Sequence, residues 1–436
     1  MALYLRIREV VSINARQLCS LSGVQLRILP SSSCFFDEAV QVQVSGLPPG
    51  QNVELRAKHT DDKGVVFKAA ATYRADQQGE VDLSRQPSTG GSYTGVEPMG
   101  LFWSMLPESP HKKLLKRDAS RPALIHIEVH KDGQILTEET NERRFMADGV
   151  QRVPVRHGRL RGTLFIPPGE GPFPGIIDLY TLGGTVCEPR AALLANKGFV
   201  VFALAFYGYQ DMPKTVDRLD LEYFEEGVTF LQTQPKVKKT GIGVLSISKS
   251  GDLALSMSSF LPNVSATVCI NACIANTLLP LHYKDMVIPP LIPNYQNVTT
   301  TPSGVDNVLN ALPNVSAEEN RCTVIPIERA SCRFLFIVSG DDRNWNSAFF
   351  AEQACGRLKA HGKANYDMVS YPTAGHFMEV PYMPHYPSGF HAAVGSVVAF
   401  GGEPKAHAYA QVDAWRRVQE FFQKHLNGDE CLRSSL

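Results

Sequence analysis

The chain has 436 residues, and that length exceeds what one hydrophobic core usually supports, so we expect two domains. Hydrophobic residues make up 44% and charged residues 20% of the composition, which excludes a disordered or collagen-like chain. Lys plus Arg and Asp plus Glu number 43 each, and this balance disfavours nucleic acid as a partner. The nine cysteines follow no C-x-x-C or metal-ligand spacing, which predicts reduced intracellular thiols and no metal.

Residues 1–24 are interpreted as a mitochondrial transit peptide. The segment contains three basic residues, Arg6, Arg8 and Arg16, and one acidic residue, Glu9, interleaved with Leu, Ile and Val. This is the composition of an amphipathic import signal. We therefore expect a mitochondrial matrix protein. A frayed extension or an incorrectly chosen start codon is the alternative for this segment, and the cytosol and the peroxisome are alternative compartments. The last three residues, Ser-Ser-Leu, match the peroxisomal S-K-L signal only in part.

Residues 25–150 are predicted to form an antiparallel β-sandwich domain. Apolar and polar residues alternate over 40–44 and again over 125–130, the pattern of strands that bury one face. Turn-forming clusters of Pro, Gly and Asp separate such segments, which predicts about seven strands.

Residues 151–436 are predicted to form an α/β domain with a mostly parallel sheet. Short apolar runs bounded by Gly and Pro alternate with helical segments, as in βαβ units. The predicted strands are 163–166, 175–179, 200–205, 242–247, 266–271 and 334–338. The predicted helices are 190–197, 219–232, 251–260, 348–361 and 408–425. The longest apolar run, 199–206, is far shorter than the roughly 20 residues that span a bilayer, so no membrane span is expected.

Ser248 is the candidate nucleophile. It follows the apolar run 242–247 and precedes a helical segment, and small residues, Ser246 and Ser250, flank it at two positions on either side. That arrangement indicates a nucleophile elbow, in which the serine adopts a strained backbone conformation. The alternative is a serine-rich strand end that caps the next helix.

The acid and the base of a catalytic triad should follow the nucleophile in the chain, each after a later strand. The run 334–338 ends in Gly340, Asp341 and Asp342, and of the two acids we favour Asp342. His376 follows a further predicted strand end at 371 and is favoured over His282 and His391, which lie in segments without an obvious strand. A serine hydroxyl needs such a base, held in the right tautomer by a buried carboxylate.

An oxyanion hole takes one backbone N–H from the residue after the nucleophile, here Lys249. A second donor is expected from the loop at 178–184, which contains two adjacent glycines, but the sequence does not identify the amide.

The chain resembles the type I acyl-CoA thioesterases and the related bile acid-CoA:amino acid N-acyltransferase over most of its length from residue 39. The matching segments are TYRAD at 72–76, GVEPMGL at 95–101, LKRD at 115–118, LEYFEE at 221–226, SISKSG at 246–251, DDRNW at 341–345 and GGEPKAH at 401–407. The resemblance implies a β-sandwich followed by an α/β-hydrolase domain that acts on fatty acyl-CoA, with Asp342 and His376 at the positions of the acid and the base. Ser246 and Ser250 depart from the glycines of the family pattern.

Within this family the thioesterases have serine and the conjugating enzyme has cysteine at the nucleophile position. Ser248 therefore favours hydrolysis of fatty acyl-CoA, a small-molecule substrate, to fatty acid and CoA, with no cofactor because coenzyme A is part of the substrate. The alternatives are an N-acyltransferase that conjugates glycine or taurine, a non-catalytic acyl-CoA-binding protein and a general carboxylesterase. Acyl chain length and oligomeric state are not predicted.

Overall fold

A computed structural model of the protein describes residues 23–180 and 186–427. The proposed transit segment, apart from Gly23 and Val24, and the last three residues lie outside these ranges. Two compact units are present: residues 23–110, 121–144 and 382–385 form the first, and residues 111–120, 145–180, 186–381 and 386–427 form the second. In the described ranges, every helix is too short or too polar to cross a membrane.

The first unit consists mainly of two β-sheets and one short helix, α1 (Gly100–Trp103). Its strands are β1 (Gln25–Leu29), β2 (Ser33–Phe35), β3 (Gln41–Ser45), β4 (Asn52–Thr60), β5 (Val66–Arg74), β6 (Val81–Asp82), β7 (Gly90–Gly91), β8 (Leu106–Pro107), β9 (Ala123–Lys131) and β10 (Gln134–Arg144). One sheet has the order β1-β3-β6 and the other β2-β10-β9-β4-β5-β7, with β8 beside β5.

Alternation of apolar and polar residues explains these strands. In β3, Val42 and Val44 are buried between partly exposed glutamines, and β9 buries Ile125, Ile127 and Val129 in the same way. The domain of β-sheets is as predicted, but two details differ. The described part of this unit has ten strands, three of them two residues long, and β2 pairs with β10 in parallel. Pairing between segments so far apart in sequence leaves no local signal.

The second unit is built on one sheet. Its strands, in chain order, are β11 (Gln151–His157), β12 (Leu160–Ile166), β13 (Phe173–Tyr180), β14 (Val200–Ala205), β16 (Val237–Ile247), β17 (Val264–Ile270), β22 (Arg333–Ser339) and β23 (Tyr366–Tyr371). Their order in the sheet is β11-β12-β14-β13-β16-β17-β22-β23. The β11–β12 and β12–β14 pairs are antiparallel, and the other pairs are parallel. The predicted mostly parallel sheet is thus confirmed.

Helices pack against this sheet. They are α2 (Glu188–Asn196), α3 (Leu221–Thr233), α4 (Lys249–Phe260), α5 (Ser347–Ala360) and α6 (Pro404–Leu426). The last begins four residues before the predicted position 408, because Pro404 occupies the first turn and the Glu403 side chain accepts hydrogen bonds from Lys405 N and Ala406 N. The central strand β14 is buried along its whole length, as expected for a strand covered on both faces.

Shorter elements connect the large ones between residues 219 and 399. They are the strands β15 (Leu219–Asp220), β18 (Leu281–Tyr283), β19 (Met286–Ile288), β20 (Thr299–Thr300), β21 (Asp306–Asn307), β24 (Ser388–His391) and β25 (Ser396–Ala399), and the 3₁₀-helices Tyr295–Asn297, Glu318–Thr323 and Ile327–Arg329. His282 lies in β18 and His391 in β24, so the expectation that both lie outside strands was wrong. These strands are too short to show a period.

The register of the parallel strands determines where the site lies. Ile247 at the end of β16 pairs with Ile270 of β17, Ile270 with Ile337 of β22, and Ile337 with Val369 of β23. The carboxyl ends of these strands therefore meet at one edge of the sheet, the usual position of ligand sites in open α/β sheets.

Candidate active site

Ser248 occupies the turn between β16 and α4. Its backbone has φ of 62° and ψ of −133°, a conformation that a non-glycine residue rarely adopts. The turn is held by hydrogen bonds from Ser248 N to Ile270 O, at 2.9 Å, and from Gly251 N to Ser248 O, at 2.8 Å. Such a strained backbone is typical of a nucleophile elbow, and the turn places the hydroxyl at the carboxyl end of β16.

The serines that flank the elbow do not use their hydroxyls at the nucleophile. Ser246 Oγ donates to Val268 O at 2.8 Å, and Ser250 Oγ donates to Leu179 O and accepts from Ile247 N. Both side chains are fully buried. They therefore tie the turn to neighbouring backbone, and the departure from glycine is compatible with the elbow geometry.

His376 lies in the loop after β23, and close packing of the backbone fixes its position. His376 N donates to Phe400 O at 2.8 Å, and Asn271 Nδ2 donates to His376 O at 2.7 Å. A Cβ atom on the preceding Gly375 would lie 2.2 Å from Gly401 O, so only glycine fits there. The loop thus holds the imidazole at the same sheet edge as Ser248.

Asp342 follows β22 and accepts hydrogen bonds from several groups of its own loop. Its Oδ1 accepts from Asn344 N at 2.8 Å and Trp345 N at 3.3 Å, and its Oδ2 accepts from Ser347 Oγ. Asp341 has a different environment, because its Oδ2 accepts from Gly402 N at 2.9 Å and its Oδ1 from Arg343 Nε. Of the two candidate acids, Asp342 faces the histidine and Asp341 fixes the loop at 402.

The structure brings the predicted nucleophile, base and acid together. Ser248 Oγ lies 2.8 Å from His376 Nε2, and His376 Nδ1 lies 2.7 Å from Asp342 Oδ2. Since a carboxylate only accepts, Nδ1 carries the ring proton and Nε2 of the neutral imidazole accepts from the serine hydroxyl. The three residues are 7%, 1% and 4% exposed, respectively, so water screens these bonds little.

Lys249 begins helix α4, and the N–H groups of a first helical turn have no acceptor within the helix. Its backbone N–H is therefore available to a negatively charged oxygen near Ser248. The Lys249 side chain is buried and forms a 2.7 Å ion pair with Asp252, which also accepts from Thr277. The two glycines of the predicted second oxyanion loop, at 183 and 184, lie outside the described residues.

A cavity of about 830 Å³ opens beside Ser248 and His376, within the range of roughly 300–1,000 Å³ that is typical of small-molecule sites. Apolar side chains, including Ile292 and Phe390, form much of its wall, and Lys113 and Lys214 also line it. Lys113 contacts Glu379 and Tyr180. The cavity therefore offers both apolar surface and positive charge.

Three further residues of this region were not among the predicted site residues. Asn344 Nδ2 lies 3.4 Å from His376 Nε2, the Trp345 ring meets the imidazole edge-on at 5.6 Å between centroids, and His391 lines the cavity beside Ser248. Asn344 and Trp345 belong to the segment DDRNW, so their proximity to Asp342 in sequence was a usable signal. His391 had no such signal, because its position depends on the pairing of two short strands, β24 and β25.

Burial governs the electrostatics around the site. It lowers the pKa of His391 to about 4, with a smaller contribution from His376, so His391 is neutral near pH 7.

Behind the sheet edge, Asp178 and Arg190 form an ion pair with both side chains almost fully buried. Among the described residues, no group of three or more His, Cys, Asp or Glu side chains is placed to hold a metal ion.

Comparison with known proteins identifies relatives over nearly the whole chain. Residues 37–157 match the family model described as "Acyl-CoA thioester hydrolase/BAAT N-terminal region", and residues 219–428 match "BAAT / Acyl-CoA thioester hydrolase C terminal". The chain is 46% identical to human "Acyl-coenzyme A thioesterase 2, mitochondrial", with 98% of this chain and 88% of that protein aligned. It is 48% identical to human "Acyl-coenzyme A thioesterase 1", with 92% and 96% aligned.

Solved structures also align with the chain. One is an acylaminoacyl peptidase from Pyrococcus horikoshii, at 16% sequence identity and a TM-score of 0.45, with 90% of this chain and 60% of that chain covered. The matches to the two family models and the identity of nearly half to full-length relatives are decisive. The protein belongs to the acyl-CoA thioester hydrolase/BAAT family.

Proposed function

We propose that the protein hydrolyses fatty acyl-CoA to free fatty acid and CoA, with Ser248 as nucleophile, His376 as base and Asp342 as the residue that orients the base. The observation that carries this proposal is the hydrogen-bonded series from Ser248 through His376 to Asp342. Relatives of nearly the same length, named acyl-coenzyme A thioesterases, supply the substrate class.

In the first half of the reaction, Ser248 Oγ attacks the thioester carbonyl carbon while its proton passes to His376 Nε2. The backbone N–H of Lys249 donates to the carbonyl oxygen as negative charge develops there. The carbon–sulfur bond then breaks, and CoA leaves with the proton from His376. Asp342 holds Nδ1–H throughout, which leaves Nε2 to accept and return the proton.

In the second half, water attacks the acyl-Ser248 ester. One proton of the water passes to His376 Nε2 and then to Ser248 Oγ as the bond from the acyl carbon to Oγ breaks. The products are the fatty acid and the free serine. No metal or prosthetic group is needed for either half.

The cavity composition supports this substrate class. Apolar wall residues such as Ile292 and Phe390 match an acyl chain, and Lys214 is exposed at the cavity and can meet a CoA phosphate. Serine at the nucleophile position favours hydrolysis over transfer to an amine, because an acyl ester reacts readily with water.

The test is release of free thiol from acyl-CoAs of graded chain length. The Ser248→Ala variant is expected to lose activity by roughly 10⁶-fold, the loss seen when a triad serine is removed. Ser259→Ala is the matched control, since that serine lies at the far end of the same helix and its hydroxyl donates to Leu255 O, its one partner among the described residues. Full activity of Ser248→Ala would exclude the mechanism. Amide formed in preference to acid when glycine or taurine is supplied would indicate an N-acyltransferase instead.

We also propose the mitochondrial matrix as the compartment. The basic segment at 1–24 supports it, and one of the relatives is named mitochondrial while another name gives no compartment. Fractionation of cells that express either the full chain or residues 25–436 tests this proposal. Loss of mitochondrial recovery in the shorter chain is expected, and equal distribution of both chains would contradict it.

A further inference from the structure

A second, smaller cavity of about 50 Å³ lies beside Ser248, next to the cavity of 830 Å³. Its wall includes apolar side chains such as Leu312 and Val394, together with Asn344 and His391. A cavity needs roughly 10–15 Å³ and two to four polar partners to hold a water molecule. The volume is sufficient, so the polar groups of the wall decide whether water binds there.

Asn344 is the first of these polar groups. The residue is 7% exposed, and its Oδ1 is buried and accepts no hydrogen bond from the described residues. Its Nδ2 lies 3.4 Å from His376 Nε2. A buried carbonyl oxygen without a donor is unfavourable, because it has lost the hydrogen bonds that water would give it. The unpaired oxygen therefore needs a donor, and that donor would lie close to the nitrogen that accepts protons in the reaction.

His391 is the second group. It lines the small cavity and the large one, and its Nδ1 is buried and has no hydrogen-bond partner in the part of the chain that the structure describes. Burial and the neighbouring His376 lower the pKa of His391 to about 4. The neutral ring offers one donor and one acceptor nitrogen, either of which can bond to water.

We propose that Asn344 and His391 together hold the water molecule that attacks the acyl-Ser248 ester. This proposal rests on the proposed function and assigns the residues that position the second nucleophile. The water donates one proton to Asn344 Oδ1 and directs the other to His376 Nε2, so it accepts a hydrogen bond from the ring N–H of His391. After attack on the acyl carbon, that proton passes through His376 to Ser248 Oγ, and the acid leaves. Asn344 and His391 are positioning residues, because neither forms or breaks a bond to the acyl group.

The experiment separates the two half-reactions. Formation of each mole of acyl-enzyme releases one mole of thiol, so slow deacylation appears in stopped flow as a burst of thiol followed by slow turnover. For Asn344→Leu and His391→Phe we expect a burst close to one thiol per enzyme and a steady-state rate lower by roughly tenfold or more. Intact-mass measurement should then show the acyl group on the enzyme.

Asn365→Leu is the matched control. Asn365 is another partly buried asparagine whose Oδ1 has no partner among the described residues, but it precedes β23, at the sheet edge opposite to His376. It should show neither a burst nor an adduct. The burst itself shows that a variant is folded, and if Asn344→Leu fails to fold, His391→Phe decides.

Two results would overturn the inference. One is a steady-state rate within about threefold of the wild type in a folded Asn344 or His391 variant, and the other is loss of burst and turnover in parallel. Absence of thiol release by the wild-type enzyme is a different result, because it contradicts the proposed function.

Discussion

Replacement of Asp342 by asparagine is expected to abolish most of the activity without disturbing the fold. Oδ1 of Asp342 accepts from Asn344 N and Trp345 N, and these two backbone donors require an oxygen at that position. The NH₂ group of the introduced amide must therefore face His376 Nδ1, where the carboxylate oxygen lies 2.7 Å away in the wild type. Nδ1 then has to accept, and the ring proton moves to Nε2.

An imidazole with its proton on Nε2 cannot accept a proton from Ser248, which lies 2.8 Å away. The same change of tautomer in a Ser-His-Asp protease lowers kcat by about 10⁴-fold. At about 1.36 kcal/mol for each factor of ten, the expected loss of transition-state stabilisation is about 5 kcal/mol.

The assay is thiol release from a long-chain acyl-CoA under saturating substrate, with circular dichroism to check folding. Asp341→Asn is the matched control, since Asp341 accepts from Gly402 N and Arg343 and does not contact His376 in the structure. Its kcat should stay within about tenfold of the wild type. The reasoning would be refuted if Asp342→Asn kept more than a tenth of the wild-type kcat, or if Asp341→Asn lost more kcat than Asp342→Asn.

Three other outcomes follow from contacts in the second unit. Gly375→Ala should lower kcat by roughly 100-fold, because the new Cβ would lie 2.2 Å from a carbonyl oxygen and displace His376, the next residue. Gly356→Ala in helix α5 is the control: its Cβ meets nothing within 4 Å, and the change should raise the free energy of unfolding by about 0.5–1 kcal/mol. Arg190→Met should lower the free energy of unfolding, measured in urea, by about 3–5 kcal/mol, because it removes the counter-ion of the buried Asp178. A free energy of unfolding equal to that of the wild type would contradict this. His391 has a pKa of about 4 in the folded protein and 6.5 in the unfolded chain, so its protonation favours the unfolded chain. The free energy of unfolding should therefore fall as the pH falls from 6.5 towards 4. The urea midpoints of His391→Phe at pH 7 and pH 5 should differ less than those of the wild type.

The interior strands of the sheet in the second unit were predictable because each contains a nearly continuous apolar run. The predicted strand 200–205 has the bounds of β14, and the strand predicted at 242–247 ends where β16 ends. β11 was not predicted, because most of its residues are exposed and Pro154 interrupts the pattern. A proline is tolerated there since β11 is an edge strand with one neighbour.

The residues proposed for the triad were chosen from sequence because each follows a strand, and parallel strands place their ends at one edge. The choice between Asp341 and Asp342 was harder, since only the three-dimensional loop shows which carboxylate turns towards His376. Asn344 lies two residues after Asp342, so its presence near the site could have been predicted. His391 lines the small cavity through a short hairpin, β24–β25, that carries no periodic signal, and its meeting with Asn344 is beyond what pattern and spacing predict.

Covalent labelling of Ser248 tests the central claim most directly. A fluorophosphonate reacts only with a serine whose hydroxyl is activated by a neighbouring base, and peptide mass spectrometry locates the adduct. We expect one phosphonyl group per chain, on Ser248, with loss of thiol release in proportion to labelling. Full labelling at a different residue, or complete modification of Ser248 with activity intact, would contradict the account.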